Sequence, residues 1–235
     1  MLPFCLRPFV AIAGELHLCN MKINDIKHKY CLNLEHRTDR RAHAIAQFEK
    51  HKIEGVEFVN AVDGAANKYS SIYLHITPGA IGCYHSHLQI LKNAYHAGIN
   101  EFIVFEDDVE FSGGFDMFIE SQLTAVPDDW NFIYLGWADF KGFEDAMKTS
   151  INEWVCKPLN PYGLFGYVVR GGQFMAELIK FFEARINDIQ RQYDEYLGDE
   201  YWPNTHYKMY ALIPPLVHYA SMGTNIQNFK RSSSK

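Results

Sequence analysis

Three consecutive carboxylates, Glu106-Asp107-Asp108, follow directly on the apolar run Phe102-Ile103-Val104-Phe105. The run has the composition of a buried strand. Its carboxylates cannot be buried unpaired, because desolvating a charge is costly. They therefore belong at the carboxyl end of the strand, beside the crevice where open α/β sheets bind ligands. Adjacent carboxylates repel one another, and a divalent cation would neutralise them. Hard oxygen ligands suit Mg²⁺ or Mn²⁺. The competing reading is a solvated acidic turn. Arg37, Arg40 and Arg41 form a second chemical cluster, able to fork onto phosphate or stack on a base.

Strands and helices in alternation must position these groups. Strands are predicted at Lys29 to Leu34, Val56 to Val62, 102–106, Trp130 to Gly136, Gly163 to Arg170 and Lys208 to Ile213. Helices are predicted at Arg40 to Lys52, with Asp39 as N-cap, at about 114–124, and from Gly171 to Phe182 with a continuation to about Gln192. Another runs from the Thr77-Pro78 cap signal to about Ala97, stopped by Gly98. Residues 138–160 and 193–206 read as loops. The alternation predicts an α/β fold with a mostly parallel central sheet flanked by helices.

The chain has 235 residues, enough for one large domain. Its 17 Phe and 14 Tyr support a sizeable core and argue against disorder. A formal net charge of −6 gives no electrostatic footprint for nucleic acid. An anionic substrate would thus need a local basic patch or a metal. Five cysteines, widely spaced and without a CxxC pair, argue against a disulfide framework or zinc site. With no Asn-x-Ser/Thr acceptor, they favour a cytoplasmic setting. No apolar run approaches the roughly 18 residues that span a bilayer. The expected organisation is an N-terminal extension at 1–20, a single domain at 21–228, with Met21 as a candidate start, and a flexible tail at 229–235.

Seven segments, taken in order, resemble glycosyltransferase family 25. They are Tyr30 to Leu34 with Arg37-Thr38-Asp39-Arg40-Arg41; Phe58 to Gly64; Thr77 to Leu88; Val104 to Val109; Asp128 to Gly136; Asp194 to Leu197; and Pro214 to His218. The family includes lipopolysaccharide-biosynthesis sugar transferases and is related to collagen galactosyltransferases. The resemblance implies a GT-A-type Rossmann-like fold and a metal-dependent, inverting hexosyltransferase. The donor would be a nucleotide sugar, a uridine diphosphate (UDP) hexose carrying galactose or glucose. The acceptor would be a glycan of lipopolysaccharide type, lipid-linked in some cases and reached at the inner face of a membrane. The alternatives are a non-catalytic nucleotide-sugar or glycan-binding protein of the same fold, and a metal-dependent phosphohydrolase.

The resemblance also implies residue roles. Glu106 and Asp108 would hold Mn²⁺ or Mg²⁺, with His218 as a late ligand. Asp107 would face ribose or the metal. Arg37 or Arg40 would contact the donor, as would Ser86 and His87 on the helix after Gly82. Asn33 and Leu34 would border the nucleotide. The base that deprotonates the acceptor hydroxyl would be Asp194 or Glu195, with Asp199 and Glu200 as neighbouring competitors. Trp137, Tyr193, Tyr196, Tyr201 and Trp202 form a pool of aromatics that could stack on acceptor sugars.

Overall fold

The structure is a computed structural model that describes residues 21–138 and 148–223. Its strands are β1 (His28–Asn33), β2 (Val56–Asn60), β3 (Glu101–Glu106), β4 (Val109–Phe111), β5 (Phe132–Ala138), β6 (Val155–Cys156), β7 (Tyr162–Arg170), β8 (Met209–Leu212) and β9 (Val217–Tyr219). Its helices are α1 (Thr38–Lys50), α2 (Pro78–His96), α3 (Phe115–Thr124), α4 (Gly172–Glu183) and α5 (Tyr193–Glu195). A π-helical turn (Tyr196–Tyr201) and a 3₁₀ turn (Trp202–Asn204) continue α5.

Seven strands form one sheet in the order β2-β1-β3-β7-β5-β8-β6. β1 pairs in parallel with β2 and β3, and β5 with β8; β7 is antiparallel to both β3 and β5, and β6 to β8. Five strands therefore share one direction, and β7 and β6 oppose them. This is the helix-flanked, mostly parallel α/β sheet expected of a GT-A-type fold. A separate small sheet pairs β4 with β9.

β3 shows why the apolar run reads as it does. Phe102 and Val104 face the cluster that contains Tyr84, Leu88 and Leu91 of α2 and Phe174, Leu178 and Phe182 of α4. Ile103 and Phe105 face the opposite cluster, with Phe48 of α1 and Phe115, Ile119 and Leu123 of α3. A strand covered by helices on both faces needs no polar alternation. Met21, Ile23 and Ile26 join the second cluster.

The antiparallel β7 brings two distant segments to one sheet edge. Phe105 lies opposite Gly166. Hence Gly163 to Phe165 stand level with the residues just past the end of β3. Leu32 of β1 pairs with Glu106, so the carboxyl end of β1 lies at the same edge.

Several local expectations are corrected. Helix α1 starts at Thr38 with Arg37 as its N-cap, and Asp39 sits inside the first turn. There it favours the positive helix end and pairs with Arg37 at 2.8 Å. Helix α4 stops at Glu183 rather than running to Gln192. The Asn187-Asp188 pair that follows competes with helical backbone bonding. The predicted loop at 193–206 is largely helical, and its aromatics Tyr193, Tyr196, Tyr201 and Trp202 are buried in the core. Trp137 is buried too, and its indole N–H donates to Leu212 O at 3.1 Å. Most of this pool therefore serves packing, while Tyr193 also lines the cleft described below. Within the predicted loop at 138–160, Val155 and Cys156 pair with β8. The short β4 and β9 have too few residues to leave a periodic signal. The expectations for the segments 1–20 and 229–235 lie outside the described residues.

Candidate active site

Glu106 ends β3, and Asp107 and Asp108 turn the chain into β4. The three acids have different fates. Asp107 is buried, and both its oxygens are held: Oδ2 accepts from Asn33 Nδ2 at 2.7 Å and Oδ1 from Arg40 Nη1 at 2.7 Å. Asn33 also donates to Arg37 O at 3.2 Å. Asn33 and Asp107 thus brace the acidic turn, and Asp107 also lines the smaller cavity described below. Asp108 Oδ2 pairs with Arg40 Nη2 at 3.0 Å, while its Oδ1 is buried without a hydrogen-bond partner. Glu106 Oε1 meets His87 Nε2 at 3.3 Å.

Glu106, Asp108 and Arg40 line a cleft of about 550 Å³. Asp194 lines it too, with Gly163 to Phe165 and the segment Tyr219 to Gly223. A smaller cavity of about 100 Å³ adjoins it through Arg40, Cys83 and Glu106. Leu34, Ser86 and His87 line this second space.

Helix α2 reaches the site because glycines let it. A Cβ on Gly82 would stand 2.3 Å from Val62 O, and one on Gly64 would overlap Pro78 O. The N-terminal turn therefore packs backbone to backbone against the Val62-Asp63-Gly64 turn. Thr77 caps the helix by accepting from Ala80 N–H at 3.1 Å. Ser86 Oγ donates to Gly82 O at 2.7 Å and accepts from Val62 N–H at 2.8 Å. Its role is to fasten this junction.

Burial dominates the electrostatics. Desolvation pushes the Glu106 carboxyl up to about 8, with the Asp194 and Asp107 charges adding to it. Desolvation and the Glu106 charge push Asp108 up to about 7, and Arg40 opposes them. Asp194 is raised as well, chiefly by burial, although Gly163 N–H donates to its Oδ2 at 2.8 Å. Burial pushes the His87 imidazole down to about 4, so it is neutral at pH 7. Tyr167 Oη lies 2.8 Å from its Nδ1.

The competing acids near Asp194 are engaged elsewhere. Glu195 closes a capping box with Gln192, accepting from its backbone N–H at 3.0 Å. It is not part of the cleft lining, which corrects its assignment as a base. Asp199 accepts from Tyr162 Oη at 2.6 Å and pairs with Arg191 at 2.8 Å. Glu200 pairs with Arg185 and Arg191.

Two further expectations are corrected. His218 lies opposite Glu110 in the β4–β9 pair, with an exposed side chain. Strand alternation turns Val217 and Tyr219 one way and His218 the other. Tyr219 reaches the cleft and His218 does not. Arg37 forks onto Asp39 and donates to Met222 O at 3.0 Å, outside the lining of both cavities. It ties down the 219–223 segment. Arg40 does so too, donating to Gly223 O at 2.6 Å.

The oxygen donors of Glu106 and Asp108 fit a hard divalent cation. The orphaned Asp108 Oδ1 offers a buried lone pair with no other use. A different donor set lies alongside: among the described residues, ligand atoms of Cys83, His87 and Glu106 fall within 4.8 Å of one another. The sequence reading missed Cys83 by treating the cysteines only as pairs. The readable signal was its spacing, four residues before His87 on one helix.

The family described as glycosyltransferase family 25 (LPS biosynthesis protein) matches residues 26–156. A glycosyltransferase 25 family member from Anopheles gambiae is 28% identical over 166 residues, covering 61% of this chain and 27% of the relative. Procollagen galactosyltransferase 2 of Homo sapiens is 31% identical over 128 residues, covering 46% and 20%. A relative named inactive glycosyltransferase 25 family member 3, also human, is 30% identical over 126 residues, covering 46% and 21%. The chain thus spans about a quarter or less of the length of these curated relatives. A crystal structure of a glycosyltransferase involved in glycosylation of the major capsid of PBCV-1 covers 78% of this chain, and the match takes in 80% of that one. It does so at 11% identity and a TM-score of 0.46.

Proposed function

This chain belongs to glycosyltransferase family 25, and we propose that it transfers galactose or glucose from a UDP-linked donor to a glycan hydroxyl, with inversion at the anomeric carbon. One observation carries the reading. Three carboxyl groups, Glu106 and Asp108 from the end of β3 and Asp194 from α5, line a single cleft, and burial raises the pKa of all three. We assign the first two to the leaving diphosphate and the third to the attacking hydroxyl, because those two groups lie on opposite sides of the anomeric carbon and need separate partners.

In this reading Asp194 is the general base. The bond from the anomeric carbon to the diphosphate oxygen breaks, and its electron pair leaves with the diphosphate. The acceptor oxygen bonds to the opposite face of that carbon and gives its proton to Asp194. The raised affinity of Asp194 for a proton suits this task. Two backbone N–H groups hold its carboxylate in orientation, those of Gly163 and of Glu195. Glu106 and Asp108 would hold Mn²⁺ or Mg²⁺, which supplies Lewis-acid stabilisation of the diphosphate charge. Arg40 keeps the acidic turn in place and presents its guanidinium at the junction of the two cavities. Leu34, Ser86 and His87 border the smaller space, which we assign to the nucleoside.

The acceptor class proposed is a lipopolysaccharide-type glycan, met in the cytoplasm at the inner face of a membrane. Among the described residues no helix is long and apolar enough to cross a membrane. The test is a panel of UDP-hexoses with glycan acceptor, in Mn²⁺ and in chelator. Metal-dependent transfer with inverted product is expected. Donor hydrolysis that ignores the acceptor would instead identify a phosphohydrolase. Donor binding without turnover would identify a binding protein.

A further inference from the structure

Cys83 and His87 lie one turn apart on α2 and face the last residue of β3. A Cys83 Sγ, a His87 ring nitrogen and a Glu106 carboxylate oxygen fall within 4.8 Å of one another. We propose that these three side chains form a second cation site, selective for Zn²⁺ and similar thiophilic divalent ions, beside the hard-oxygen pair Glu106 and Asp108.

The donor chemistry sets the ion. Thiolate and imidazole prefer Zn²⁺ over Mg²⁺ or Mn²⁺. Three protein ligands leave a fourth tetrahedral position open. That position faces the cavities, because Cys83 and Glu106 line both of them. Cys83 is a free thiol at the wall of both cavities; burial and the nearby Glu106, Asp194 and Asp108 charges push its thiol up, a cost that a bound cation must offset.

The surroundings hold the ligands ready. His87 stacks on Tyr193 at 5.1 Å and 27°, and Tyr167 Oη lies 2.8 Å from its Nδ1. A zinc-binding histidine needs such a partner on its other nitrogen to fix ring and tautomer. The turn that carries Cys83 is pinned by the backbone contact of Gly82 with Val62 and Gly64. Without an ion, His87 Nε2 has only the long 3.3 Å contact to Glu106.

Binding balances simply. Cys83 loses its thiol proton to solvent. The His87 proton resides on Nδ1 and is donated to Tyr167 Oη, which frees the Nε2 lone pair. Zinc bond lengths place sulfur and nitrogen ligands about 3.5 Å apart. Since the three ligand atoms already lie within 4.8 Å of one another, closing to these lengths takes at most about 1.3 Å. Glu106 is common to both sites, so Zn²⁺ should inhibit transfer. That consequence alone rests on the proposed activity, whereas the binding does not.

The test uses the reduced, metal-free chain and Co²⁺ as a spectroscopic substitute for Zn²⁺. A near-ultraviolet thiolate-to-cobalt band with tetrahedral visible bands is expected, and Zn²⁺ should bleach both. Cys83→Ser should remove the thiolate band and weaken Zn²⁺ binding by about tenfold or more, at least what loss of an outer-shell partner costs. Asp108→Asn should retain the band. In the unaltered chain, Zn²⁺ should slow alkylation of Cys83, read by peptide mass spectrometry, so the outcome does not hang on any variant folding. Absence of the band, its survival in Cys83→Ser, or alkylation unaffected by Zn²⁺ would overturn the proposal.

Discussion

Removing the Arg40 guanidinium should unbalance the acidic turn. Its side chain is 12% exposed, against 7% for Asp107 and 14% for Asp108, and it contacts them at 2.7 and 3.0 Å. These groups are too buried for solvent to screen them well. Truncating one partner of a buried pair typically costs about 3–5 kcal/mol, because the remaining charge stays buried. Arg40→Met keeps most of the stem packing and removes the charge. The residual exposure favours the lower end, about 3 kcal/mol. For a chain of this size that corresponds to a fall in Tm of about 6–12 °C.

The pH dependence separates lost charge from lost packing. The folded Asp108 takes up its proton near 7, well above its unfolded value. A carboxyl raised in this way makes stability fall as pH climbs from the unfolded to the folded value. Without Arg40 the folded value moves higher still, so the fall continues further. The gap between parent and variant should therefore widen above pH 7 and narrow below it. Urea unfolding of both proteins in chelator, at pH 6 and pH 8, measures this directly. Mn²⁺ should recover part of the variant's loss at pH 8. A gap under about 0.5 kcal/mol, or one independent of pH, would refute the view that Arg40 neutralises this turn.

Three other outcomes follow from the same geometry. Asp194→Asn should lower kcat by about 10²–10⁴-fold and leave donor affinity by calorimetry nearly unchanged; unaltered turnover would move the base elsewhere. Gly82→Ala drives a Cβ to 2.3 Å from the carbonyl oxygen of Val62, and a backbone atom cannot swing aside, so a loss of about 1–3 kcal/mol is expected in chemical denaturation. Glu195→Ala should cost about 1 kcal/mol as a lost cap, and His218→Ala should leave Mn²⁺ affinity unaltered by titration; a collapse of turnover or of affinity would return these residues to the site.

The sequence alone determined the elements whose signals are local. Four apolar residues running into three acids defined both the central strand and the position of the acids at its end. Thr77-Pro78 defined the start of α2 to the residue. The ordered segments from Tyr30 to His218 carried the family. What the sequence left open was the division of labour within the site. Asp107, Asp108 and Glu106 are alike as types, but Asp107 is claimed by Asn33 and Arg40, 74 and 67 residues away. Asp194 and Glu195 are adjacent acids, and only the fold turns one to the cleft and the other into a cap. His218 and Tyr219 are likewise separated by which face of β9 each occupies. Of the aromatics from Tyr193 to Trp202, only the fold decides that Tyr193 lines the cleft while Tyr196, Tyr201 and Trp202 are enclosed by packing. Propensity and hydrophobic period act over a few residues and can be read directly. The partner of a carboxylate, and hence its charge and availability, is set by groups that only the tertiary fold brings within hydrogen-bonding distance.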